Sequence, residues 1–256
     1  MTYGTPPAEA RPPVLARRPS LPASLAGVVV RPAATFRDVA RWPRWIGPLA
    51  VVVGAVLVVT LAGLPFMWSI LVEQFEAVGG PAEMKPLVLG VSLAGMLAGA
   101  VLGPPFWAAI LAVVMWGWAK IVDERRVPFV VAIAAAAHVG VIVVLRALAG
   151  TILLAFGYGA DVVGLGLSPA SKLGLGGLFD PTGMPAAIYG ALAQVELFSI
   201  WMAVVIAVAG VHALGMRKGS AAAVALLVWF LNAMLQFVGV AVTMLNSPAG
   251  GGPASF

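Results

Sequence analysis

The chain contains no cysteine, which excludes disulfides, thiolate metal sites, cysteine nucleophiles and iron–sulfur ligation together. It leaves the compartment open. Charge is almost as scarce: 10% of the 256 residues are charged, while 61% are hydrophobic. Soluble domains carry roughly 25% charged and 45–50% apolar residues, so a soluble globular domain is excluded. Histidine occurs twice, as His138 and His212, without H-E-x-x-H or any other metal-ligand spacing. The glycine clusters Gly164-x-Gly166 and Gly174-x-Gly176-Gly177 cannot act as phosphate cradles, because no Lys-Ser/Thr follows and no strand precedes them. The sequence therefore offers no catalytic, cofactor-binding or metal-ligating set. It reads as a non-enzyme that needs no cofactor.

What is present is a series of uncharged apolar runs, several longer than the roughly 18 residues that mark a membrane span. The expected fold class is all-α: a polytopic transmembrane helical bundle of about five spans with additional interfacial helices. Residues 1–20 are proline-rich, polar and aperiodic, which predicts a disordered cytoplasmic tail. No signal peptide is expected, because no apolar run long enough for one precedes Ile46. Residues 21–45 read as an amphipathic juxtamembrane segment. Within it Thr35-x-x-Asp38 resembles a capping box, and Phe36, Arg37, Trp42 and Trp45 are the expected interfacial anchors.

The transmembrane domain is expected over 46–245, with spans at about 46–68, 104–120, 128–149, 196–214 and 220–245, and a flexible tail over 246–256. Pro86 to Ala119 holds no charge over thirty-four residues. That is ~51 Å of helix against a core of ~30 Å. Gly103-Pro104-Pro105 predicts a break there, because paired prolines belong at a helix start. Residues 86–102 then form an interfacial or re-entrant piece. Gly95, Gly99 and Gly103 share one helix face, where another backbone is expected to approach closely.

The net charge of +5 points to the membrane rather than to nucleic acid. With the amino terminus inside, twelve of the fifteen Lys and Arg residues fall on the cytoplasmic side, a strong positive-inside bias. The carboxyl terminus is then outside. The expected location is a bacterial inner (plasma) membrane.

Ionisable and polar groups within spans are costly and seek partners. Pro128 to Arg146 is 18 residues and Gly215 back to Glu196 is 19, so both charges rise to about 27–28 Å. That common depth predicts an intramembrane ion pair between Arg146 and Glu196. His138 is expected to be hydrogen-bonded inside the bundle. Asn232 and Gln236, one turn apart, are expected to bridge helices.

Two stretches carry a family resemblance. Val30-Arg-Pro-Ala-Ala-Thr-Phe-Arg-Asp-Val-Ala-Arg-Trp-Pro-Arg-Trp45 resembles the approach to the first span in the Yip1 domain family of five-span membrane proteins. Val195-Glu-Leu-Phe-Ser-Ile-Trp201 is similar to the start of that family's fourth span. A short Lys/Arg–Gly loop and a last span containing Trp229 follow in the same order. The chain looks like a bacterial-type member, departing from the pattern around Ala136-Ala-His-Val139. The resemblance implies a membrane scaffold or adaptor, acting in membrane organisation or trafficking-like processes. The alternative is a transporter or the membrane subunit of one. The expected partners are the lipid bilayer and either a second copy or another membrane protein, with no nucleic acid.

Overall fold

The structure, a computed structural model, describes residues 18–77, 79–163, 167–179 and 185–246. The expected tails lie outside this set apart from residues 18–20 and 246. Among the described residues there is no strand. The architecture is an all-α bundle assembled around one central helix.

That central helix is α5, Phe129–Ala155. Its run Ala132 to Val139 is almost wholly buried, with five alanines among the buried side chains. Small side chains let neighbouring backbones approach, which is how apolar helices associate where lipid removes the hydrophobic driving force. At Gly140 an added Cβ would lie 3.2 Å from Val52 Cγ1, so the neighbouring α3, Ile46–Ala77, passes close there. Helix α4, Lys85–Ile121, packs against both α3 and α5. Helix α8, Leu197–His212, also packs on α5, and α9, Lys218–Asn246, packs on α8 and reaches α4.

The expected break at Gly103-Pro104-Pro105 is absent. Helix α4 runs through it for 37 residues, about 55 Å of rise. Pro65 is likewise inside α3 rather than at its end. Prolines are tolerated within membrane helices because neighbouring helices and local adjustments satisfy the freed carbonyls. Among the described residues, four helices are long and apolar enough to cross a membrane. The remaining expected span, α8, has only 16 residues, about 24 Å, and is preceded by the separate short helix α7, Ala186–Ala193; the four-residue helix α6, Ala160–Val163, follows α5.

The juxtamembrane segment also differs from expectation. It forms two helices, α1 Leu21–Val30 and α2 Pro32–Arg41, broken at the non-helical Arg31. Thr35 is therefore inside α2 and caps nothing. It packs instead against Gly27, where an added Cβ would lie within 2.3 Å of its hydroxyl oxygen. Phe36, expected as a lipid anchor, is fully buried in the main core with Val28 and Val39. The reason is geometric: the Arg31 turn folds α2 back against α5 and α8, so its apolar face meets protein first. Arg37, Trp42 and Trp45 remain exposed.

At the end where α4 stops and α9 begins, Asp123 is buried and gathers two elements. Its carboxylate accepts from the Arg217 backbone N–H at 3.0 Å and from the Ser220 hydroxyl at 2.8 Å. The basic loops 120–126 and 217–218 therefore lie at one end of the bundle. Gly215, at φ +67, supplies the left-handed residue this tight turn needs.

Candidate functional site

A buried polar site is built where α8 begins. Its N-cap, Glu196, is extended rather than helical. Two contacts fix it: its backbone N–H donates to Ser199 Oγ at 3.2 Å, and its backbone forms an antiparallel bridge with Gly174. Leu175 N–H completes that contact by donating to the Val195 carbonyl at 3.0 Å. Only glycine fits at 174, because a Cβ there would lie 2.3 Å from the Val195 carbonyl oxygen. The glycine-rich connection is thus the clamp that orients Glu196. Ser171 within it is buried.

Glu196 has no solvent-exposed side-chain surface, and its Oε1 meets Arg146 Nε in an ion pair. Arg146, from α5, keeps 25% of its side-chain surface exposed. The two groups that share a depth in the sequence therefore do meet, although they come from helices separated by the whole glycine-rich connection. Glu196 Oε2 is buried without a hydrogen-bond partner.

This pair forms one end of a cavity of about 240 Å³. Asn232 and Ser199 also line it, and its remaining walls are largely apolar, among them Val52, Trp107 and Met202. Gly99 and Gly103 belong to the same wall, and an added Cβ at either would meet nothing within 4 Å. The glycine row is thus not a seat for another backbone of this chain; two of its members leave room in the cavity instead. Asn232, expected to bridge helices, is half-buried on the cavity wall. The Gln236 side chain lies outside the described set.

His138 stands apart from this cavity. Its Nδ1 donates to the Ala134 carbonyl at 2.7 Å, the only role a carbonyl partner allows. In the neutral ring Nε2 then accepts, and Ser24 of α1 lies 2.9 Å away. Asp38, Trp42 and Arg44 share this small pocket. Among the described residues no three His, Asp or Glu side chains gather as a metal site.

Sequence reasoning missed Ser24, Ser199, Gly174 and the apolar cavity walls. A lone serine carries no spacing pattern, glycine is abundant at thirty residues, and helix faces become walls only once the helices are packed.

The comparison with protein families covers most of this bundle: a family model described as the Yip1 domain matches residues 26–240. The chain belongs to the Yip1 domain family. No curated protein and no solved structure matches it. The matched range opens midway along α1, so the second half of α1 and all of α2 fall within the Yip1 domain along with most of the spans. With its long apolar helices, this Yip1-domain chain is an integral membrane protein.

Proposed function

We infer that this Yip1-domain protein is a non-enzymatic scaffold or adaptor within the membrane. The observation that carries the reading is how differently its spans are used. Over half of the most apolar stretch of α5 is buried, whereas α3 and α4 bury only 17% and 22% of theirs. The two longest helices leave many large apolar side chains exposed, Leu102 and Phe106 of α4 among them. Such faces meet lipid or the helices of another membrane protein, a second copy included. No nucleic-acid partner is proposed.

The continuity of α4 argues against the transporter alternative. Discontinuous helices at the midplane are the device transporters use to bind substrate, and α4 is unbroken across Gly103–Pro105. The positive-inside bias supports an amino terminus in the cytoplasm of a bacterial plasma membrane, with α8 as a short fifth crossing and the carboxyl terminus outside.

The test is site-directed photocrosslinking in the native membrane from Leu102 and Phe106, paired with solute flux across reconstituted vesicles. Discrete adducts with a membrane protein and no flux are expected. Solute flux that requires the folded protein would overturn the adaptor reading.

A further inference from the structure

We propose that the cavity between α3, α4, α5, α8 and α9 is a binding site for a zwitterionic amino-phospholipid, its headgroup on Arg146 and Glu196 and one acyl chain along the apolar walls. The argument begins with the charges. Glu196 is wholly buried, and its Oε2 has no hydrogen-bond partner. A buried carboxylate oxygen left without a donor is costly, and a primary ammonium carries three N–H donors. Arg146 contacts Glu196 through Nε and is a quarter exposed. A guanidinium has five N–H donors in a fork that suits phosphate. The pair is neutral as a unit. A ligand bringing one anion and one cation keeps the buried site neutral, whereas an anion alone leaves an uncompensated charge in a low-dielectric interior.

The rest of the cavity selects an amphiphile over a small soluble zwitterion. Its lining on α5 runs from Arg146 down through Val143 and Gly140 to Ala136, about 15 Å along the helix. Apart from Asn232 and Ser199, the wall beyond the ion pair is apolar. Gly99 and Gly103 leave open space at this wall. Polar groups at one end and a long apolar slot leading from them match a headgroup followed by a chain. In the proposed orientation the polar end faces the outer headgroups and the slot runs toward the midplane. Four long helices border or surround the slot within the bilayer, so a lipid reaches it without crossing water.

The experiment uses the full chain in mild detergent, with lipid retention read by native mass spectrometry and unfolding temperature read in parallel. The probes are phosphatidylethanolamine, phosphatidylglycerol, phosphatidylcholine and free phosphoethanolamine. Phosphatidylethanolamine should be retained about tenfold over the other two lipids, the ratio set by ~1.4 kcal/mol. Phosphatidylglycerol lacks the ammonium, and the quaternary headgroup of phosphatidylcholine has no N–H to donate. Glu196→Gln should abolish that preference. Gly99→Leu with Gly103→Leu, which fills the slot and leaves the ion pair intact, should reduce retention about tenfold while the protein still unfolds cooperatively. Equal retention of the three lipids, or undiminished retention by the glycine variant, would overturn the proposal. So would stabilisation by free phosphoethanolamine as large as that by the intact lipid, which would make the ligand a soluble zwitterion.

Discussion

The hydroxyl of Ser24 lies 2.9 Å from Nε2 of His138, joining residues 114 positions apart. This contact ties α1 to the central helix of the bundle. It converts what reads as a surface segment into part of the core, since the turn after α1 then delivers Phe36 and Val39 into the same cluster as Ala135 and Val205.

The docking of α1 and α2 should be visible in stability. Phe36→Ala removes a fully buried ring and is expected to cost about 3 kcal/mol. Arg37→Ala, on the exposed face next to it, should change stability by less than about 0.5 kcal/mol. Ser24→Ala should cost about 1 kcal/mol through the lost hydrogen bond. Unfolding midpoints in denaturing detergent give the three values. A Phe36→Ala variant as stable as the parent would mean that α2 lies on the bilayer surface instead.

Arg146 and Glu196 should behave asymmetrically. Arg146→Gln strands a wholly buried carboxylate and is expected to cost roughly 3 kcal/mol. Glu196→Gln leaves an arginine that is a quarter exposed and free to snorkel, so its cost should be smaller. The double variant should lose roughly 1–3 kcal/mol less than the sum of the two single losses. Strictly additive losses in that cycle would mean that the charges do not interact.

At the other end, the Asp123 clasp separates hydrogen bonding from charge. The Arg217 side chain is 75% exposed and its guanidinium stands 3.8 Å from the carboxylate. An exposed pair of that kind contributes little, so Arg217→Ala should be nearly neutral. Asp123→Ala leaves the Arg217 N–H and the Ser220 hydroxyl without their acceptor and should cost roughly 2–3 kcal/mol. Comparable losses from the two variants would assign the clasp to charge rather than to hydrogen bonding.

Orientation is accessible to labelling, because the chain has no native cysteine. Single cysteines at Glu76, Leu178 and Gly219 all fall on exposed positions. The first two should react with an impermeant reagent in intact cells, and Gly219 only after permeabilisation. Labelling of Gly219 from outside would reverse the proposed topology. Ser171 is a poor reporter, since it is buried in the glycine-rich clamp.

The sequence by itself determined the class of this protein. Runs of uncharged apolar residues permit only helices in a bilayer, because each backbone polar group must be satisfied within its own segment. The sequence also set the common depth of Arg146 and Glu196, since rise along a helix is fixed per residue. What it could not determine was which faces meet. Hydropathy weighs a leucine against lipid and a leucine against protein alike, so the burial of Phe36 and the outward exposure of Phe106 were decided by packing. The proline pair gave the wrong answer for the same reason. A break at Pro104 is the expectation for a helix alone, and continuity of α4 is what results when the surrounding bundle holds it. The cavity is likewise a tertiary product: Trp107, Gly140 and Asn232 come from three different helices and Glu196 from the cap of a fourth, and no local pattern in any one of them marks a shared wall.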